Sequence, residues 1–189
     1  EQEAIATVLA AEPTVEHVGR YLSGMGLAGN GCKSTPFLGK GIEPEVDHFT
    51  RSHPEVQAAI PEFARMVKGG DLLGYAGVDG AVSLSRGLAR ILGKSRIHDE
   101  VLAGSGAPTV VDCQSPKAGE EIALDANIQL AGGTYDGSFS AVDGEIVSLH
   151  ATGSADLEDS SLVAPLSTLQ RLYDTDQVTY MAVFLKAGD

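Results

Sequence analysis

Residues 127–153 read N-I-Q-L-A-G-G-T-Y-D-G-S-F-S-A-V-D-G-E-I-V-S-L-H-A-T-G, residues 156–173 read D-L-E-D-S-S-L-V-A-P-L-S-T-L-Q-R-L-Y, and residues 178–185 read V-T-Y-M-A-V-F-L. In order, this predicts a strand with a glycine-interrupted apolar run, a polar loop, a short helix from Pro165, and an edge-like closing strand. Ile122, Leu124, Ala126, Ile128 and Leu130 alternate with polar neighbours, the cleanest strand pattern in the chain. Asp136-Gly137 then fits a two-residue hairpin turn. Asp143-Gly144 fits a second turn or a bulge. We read it as a bulge in one long strand, because a turn leaves only about six residues between hairpins.

Upstream, Ile5, Val8 and Leu9 recur at helical spacing, which predicts a short amphipathic helix over 3–11 ending before Pro13. A strand follows from Val15 to about Leu22. Gly24, Gly26, Gly29 and Gly31 predict a loose segment, Phe37 to Ile42 a second strand, and Pro44 the start of a helical turn through Phe49. Residues 50–73 fit either helix or irregular chain. Asp79-Gly80 marks a turn, Ala81 to Leu84 a short strand, and Arg86 to Leu92 a helix closed by Gly93. Residues 95–108 have a loop's composition. No repeat of 20–50 residues is present, so a solenoid is excluded.

The chain has 189 residues, enough to bury a core without obligatory staples. Its net charge of −13 leaves no basic stripe to neutralise phosphates, so nucleic acid is excluded as a partner. The same charge opposes adhesion to an anionic membrane surface. No apolar run reaches the length that spans a bilayer. The chain opens Glu-Gln-Glu-Ala-Ile, with neither a signal peptide nor an initiator Met, and reads as a piece of a longer protein.

Candidate chemical sites are thin. Gly24-Met25-Gly26-Leu27-Ala28-Gly29 spells G-x-G-x-x-G, but the following Asn30 to Pro36 is a poor helix, and a dinucleotide needs a helix N-terminus there. Residues 26–34 approach a phosphate-binding loop, yet Cys32 separates Gly31 from Lys33 and moves the lysine off the cradle. G-x-S-x-G is absent. His17, His48, His53, His98 and His150 are scattered. Only His48 and His53, near Glu45 and Asp47, invite a metal reading, and their spacing suits neither a helix face nor a strand face. Asp156, Glu158 and Asp159 lack the alternation and glycine of a calcium loop. Met25, Met66 and Met181 are too dispersed to bind copper. No catalytic, cofactor or metal residues emerge, so the reading is non-catalytic. Cys32 and Cys113 bridge if the domain matures in an oxidising compartment and remain separate thiols in a cytosolic one.

The ordered motifs carry a resemblance. Thr14-Val15-Glu16-His17-Val18 follows the first helix, and Gly39-Lys40-Gly41-Ile42-Glu43-Pro44 comes next. Val82 to Gly93 then matches a strand-to-helix pattern. After it stand Phe139, Val142, Gly144, Ile146 and Gly153, and last Pro165-Leu166-Ser167-Thr168-Leu169-Gln170-Arg171-Leu172. This set resembles the periplasmic core domain of MacB-type ABC transporter permeases, the group that includes LolC/LolE and FtsX-like proteins.

The resemblance implies an α+β, two-lobed periplasmic domain inserted between two membrane helices, with its chain ends close together. Residues 1–75 and 161–189 are expected to form a membrane-proximal α+β lobe, and residues 76–160 a β-rich distal lobe. It further implies a cytoplasmic ABC ATPase acting through the transmembrane helices, a periplasmic partner or cargo protein or lipid, and a dimer of permeases. Residues 95–119, with Cys113, have no counterpart in the pattern. A bridge between Cys32 and Cys113 fits the family but is not required by it. The competing expectation is a free-standing soluble binding protein or enzyme with an unrecognised site.

Overall fold

The computed structural model describes residues 2–59, 80–95 and 111–186. The expected helix is α1, Gln2–Ala10. Strand β1 then runs from Val15 to Gly29, twice the expected length, and β2 covers Ser34–Ile42. Gly24, Gly26 and Gly29, which the sequence reads as part of a loose segment, lie within β1, and Gly31 sits in the turn to β2 at φ 87°. The reason is steric: a Cβ on Gly24 would stand 2.4 Å from the Tyr173 ring, and one on Gly26 2.4 Å from the Ala131 carbonyl oxygen and 2.8 Å from the Phe37 ring. Glycine therefore admits two aromatic rings against the strand rather than loosening it.

After β2 come α2, Pro44–Ser52, and α3, Pro54–Ala59. Strand β3, Ala81–Ser85, leads into α4, Arg86–Ile91, as the sequence predicts. Gly93 has φ 72°, the left-handed conformation that ends helices. Helix α5, Ala118–Leu124, takes Ile122 out of the alternating run, so β4 begins only at Asn127 and ends at Gly133. The Asp136-Gly137 turn is present, with Gly137 at φ 87° and Thr134 N donating to Ser138 O.

Strand β5, Phe139–His150, is one continuous strand, and Asp143 and Gly144 pair in register with Gln129 and Ile128. The irregularity falls further along, where Val82 and Ser83 face Ile146 and Ser148 and one residue of β5 is skipped. A single turn of helix, α6 (Ala155–Glu158), precedes β6, Ser161–Pro165, in a stretch that the sequence reads as polar loop. Helix α7, Leu166–Tyr173, and strand β7, Tyr180–Leu185, close the chain. Residues 60–79 and 96–110, on which the ambiguous 50–73 stretch and the predicted 95–108 loop largely fall, lie outside the described residues, as do Met66 and His98.

The seven strands form one sheet in the order β2-β6-β3-β5-β4-β1-β7, and β1 also pairs with β2. Six strands therefore close into a ring, with β7 added along the first half of β1. Strand β1 serves three partners because it is long: Val15 to Tyr21 face β7, Leu27 to Gly29 face β4, and Tyr21 to Gly29 face β2 on the other edge. Both expected lobes contribute to this one sheet, since β6 bridges β2 and β3.

The main core lies inside the ring. Leu22, Phe37, Leu84, Leu130, Ile146 and Leu162 point inward, and Leu166, Leu169 and Leu172 of α7 pack onto them with Leu88 of α4 and Leu92 just after it. Small inward residues at Gly24, Gly39, Gly41 and Gly132 let α7 approach the sheet. A second, smaller core lies outside the ring, where Val46 of α2 covers Tyr21, Ile42 and Val163. Each fully buried aliphatic side chain here contributes about 1.5–3 kcal/mol.

The start of β1 and the end of β7 meet, where Lys186 N donates to Thr14 O at 2.9 Å; Gln2, which opens α1, lies instead before the start of β7, where its Oε1 accepts from Val178 N at 2.8 Å. Among the described residues no helix is long and apolar enough to cross a membrane.

Candidate functional site: a stapled corner, a sealed polar layer and an apolar outer wall

At the far end of β1, the turn to β2 is held on three sides. Asn30 Oδ1 accepts from Cys32 N at 2.8 Å and Lys33 N at 2.6 Å, and Asn30 Nδ2 donates to Leu92 O at 2.6 Å. Asn suits this position because its short amide both closes the turn and reaches the end of α4. Cys32 and Cys113 are joined by a disulfide with Cα atoms 5.5 Å apart. Behind the corner, Lys94 is fully buried and its ammonium donates to Asp125 O, with Asp125 Oδ2 at 3.4 Å. Burial lowers the Lys94 pKa, and Asp125 opposes that shift. An open cleft of about 430 Å³ beside the corner is lined by Asn30, Lys33, Asn127, Gln129 and Asp143.

Between the ring and its outer cover lies a polar layer. Ser83 Oγ is 2.9 Å from His150 Nδ1, Ser148 Oγ donates to Ser83 Oγ at 2.6 Å, and His150 Nε2 is 3.3 Å from Ser161 Oγ. Serine beside histidine is the first half of a nucleophile–base pair. This pair has no route to substrate, because Ser83 is 0% exposed and His150 5%. Burial lowers the His150 pKa to about 4, with Glu158 opposing and Arg51 and Arg86 adding to the fall. The imidazole is thus a neutral hydrogen-bonding strut. Beside it, Arg51 Nε donates to Asp47 Oδ1 at 2.8 Å within α2, both side chains buried.

The remaining feature is an apolar wall. Odd-numbered residues of the second half of β1 face outward, so Met25 is 71% exposed and Leu27 43%. Register sets Leu38 of β2 opposite Met25, and Pro36 opposite Leu27. On the other side Leu27 faces Ala131 of β4, which faces Ala141 of β5, while Gly133 faces Phe139, itself 73% exposed. One cross-strand row of uncharged residues, Pro36, Leu27, Ala131 and Ala141, therefore runs around four strands of the ring, with the pairs Leu38–Met25 and Gly133–Phe139 beside it. The sequence carries this only as a parity: the large residues at 25 and 27 alternate with the glycines and alanine at 24, 26 and 28.

The residues singled out in the sequence do not converge. His53 Nε2 is 3.4 Å from Glu16 Oε2, Asp47 is paired with Arg51, and Glu45 is exposed. Glu158 Oε2 accepts from Thr152 N and Oγ1, and Asp159 meets Arg90 at 3.1 Å. The G-x-G-x-x-G residues are strand, and Lys33 is exposed at the turn. Met181 is half-buried in β7. Among the described residues no group of His, Cys, Asp and Glu is arranged to hold a metal.

No family model and no curated protein matches this chain. Solved structures do. The periplasmic region of MacB from Actinobacillus actinomycetemcomitans superposes with a TM-score of 0.52 at 14% identity, over 99% of this chain and 64% of that one. The extracellular domain of the noncanonic ABC-type transporter YknZ from Gram-positive bacteria superposes with a TM-score of 0.50 at 12% identity, over 98% of this chain and 73% of that one. The chain spans about two thirds of the MacB region. At these identities the likeness establishes the fold: mixed α+β, of the kind found in extracytoplasmic domains of ABC-type transporters.

Proposed function

We propose that this chain is the extracytoplasmic domain of an ABC-type permease. In this reading it has no catalytic role of its own. A cytoplasmic ATPase acts on it through transmembrane helices of the full-length protein, and it engages a periplasmic partner or cargo as part of a permease dimer. The single observation that carries the reading is the shared fold. The disulfide joining Cys32 and Cys113 supports an oxidising compartment.

The test is the mass and full sequence of the native polypeptide in membrane and soluble fractions. The expected result is a membrane-fraction chain of several hundred residues, with apolar helices abutting both ends of this segment. A soluble polypeptide close to 19.6 kDa would overturn the proposal.

A further inference from the structure

The disulfide joining Cys32 to Cys113 sits at the surface, with Cys113 exposed and Cys32 half-buried. Its two ends are attached very differently. On the Cys32 side, Asn30 closes the turn and ties it to Leu92 O independently of the bond. On the Cys113 side, residues 112–117 are exposed apart from the half-buried Ser115. Their hydrogen bonds are local: Gln114 N donates to Asp112 Oδ1, Ser115 N to Asp112 O, and Lys117 N to Ser115 Oγ, and Lys117 O accepts from Glu120 N and Glu121 N of α5. Among the described residues none of these bonds reaches past α5. Cys113 Sγ lies 3.7 Å from Gly31 O, which is a contact only, because a disulfide sulfur carries no proton. The disulfide is therefore what moors this strap to the turn between β1 and β2.

The two sulfurs also differ in their surroundings. Asp112 precedes Cys113, whereas Lys33 follows Cys32 and lines the cleft beside the corner together with it. Lys33 makes no ion pair among the described residues. An ammonium stabilises a thiolate formed beside it, and a carboxylate opposes one. Cys32 is thus the better leaving sulfur, and Cys113 is the one open to attack.

We propose that this bond is a thiol-exchange site of the folded domain, and that its co-substrate is a dithiol reductant of the Cys-x-x-Cys class. A thiolate of the reductant attacks Cys113 Sγ, the bond between Cys32 and Cys113 breaks, and Cys32 leaves as a thiolate beside Lys33. The second thiol of the reductant then attacks its own sulfur in the mixed disulfide and releases Cys113. The reductant is oxidised to its disulfide, the domain is reduced to two thiols, and the protons given up by the reductant pass to Cys32 and Cys113. Exposed disulfides are the labile and regulatory ones. Reduction unmoors residues 112–117, while Asn30 keeps the turn in place. The assignment does not depend on the permease reading, and it is tested on the chain itself.

Reduction of the purified chain by dithiothreitol is followed by alkylation and mass, in increasing urea below the unfolding transition. Urea at about 1 M raises the unfolded fraction roughly tenfold, so a bond reached only by unfolding is reduced faster by that factor. The expected change is less than about twofold, because the folded chain itself reacts. Brief reaction with glutathione, quenched with a maleimide, is expected to leave glutathione on Cys113 and the maleimide on Cys32. Lys33→Glu is expected to slow reduction by about threefold with an unchanged melting temperature. Amide NMR shifts are expected to change on reduction only within 30–33 and 111–118. Reduction that tracks the unfolded fraction, glutathione on Cys32, indifference to Lys33→Glu, or shift changes spread through the sheet overturns the proposal.

Discussion

Ser83 Oγ and His150 Nδ1 face each other at 2.9 Å in a layer that solvent does not reach, and the pair orders the outer side of β3 and β5. The ring nitrogens meet two serines rather than a carboxylate, so nothing in direct contact favours the charged imidazole. Protonation has to be accommodated by unfolding or by opening the cover.

That arrangement predicts acid sensitivity. The folded pKa of about 4 lies below the ordinary value of 6.5, so His150 contributes stability that is complete above about 6.5 and is lost as the pH falls toward 4. The difference between those two values is worth about 3 kcal/mol. Urea unfolding at pH 7.5 and 4.5 is expected to show a loss of this size in the parent chain and a clearly smaller loss in His150→Asn. Equal losses in both would remove His150 as the cause.

The two kinds of glycine are expected to respond in opposite directions. Gly24→Ala drives a methyl to 2.4 Å from the buried Tyr173 ring and should cost about 1–3 kcal/mol. Gly119 lies in α5 with nothing within 4 Å of an added Cβ, and Gly119→Ala should stabilise by about 0.4–1 kcal/mol. Thermal melts of the two variants, read against the parent, check both signs.

The bond between Cys32 and Cys113 spans 81 positions, and in the chain-entropy view such a loop contributes about 4 kcal/mol. Cys32→Ser with Cys113→Ser is expected to lower the unfolding free energy, read by denaturant titration, by that amount, and reductant should lower the parent to the same level. A parent chain unmoved by reductant would show that the bond is absent or carries no stability.

Asp174 ends α7 at φ 49°, the one left-handed non-glycine residue among those described. Asp174→Gly relieves the Cβ contact and should add about 0.5–1 kcal/mol, measurable as a rise in melting temperature. An unchanged or lowered midpoint would show that the Asp174 side chain compensates for its backbone.

Much of the fold is legible in the residues. Apolar spacing finds α1, β3 with α4, and the run from Leu166 to Leu172, and the last strand is recognisable from V-T-Y-M-A-V-F-L. The errors have physical causes. Gly24 and Gly26 look like loop formers, and it is the Tyr173 ring, nearly 150 residues away, together with the Phe37 ring and the Ala131 carbonyl oxygen, that requires glycine in the strand there. Ile122 and Leu124 continue an alternation that belongs to β4, although Ala118 and Glu121 around them make a helical turn. Strand β6 is too short to show a period and is defined by parallel pairing with β2.

The surface features were harder to read. Ser83, His150 and Ser161 are distant in sequence, and each is unremarkable alone. Met25, Leu27 and Leu38 become neighbours only through the register of β1 with β2.

Because Val15 pairs with Leu185, the first and last strands lie antiparallel, with the start of β1 and the end of β7 at the same edge of the body. Loads applied there divide into two kinds. Displaced together, the ends carry the ring with them as one lever, since β1 is bonded to β2 and β4 along its far half. Drawn apart, they load the β1–β7 ladder one hydrogen bond at a time, starting from Lys186 and Thr14, like a zip. The domain is therefore stiff to a common push and compliant to a spreading one, and force applied through residues 14 and 186 should open it at a low, gradual threshold.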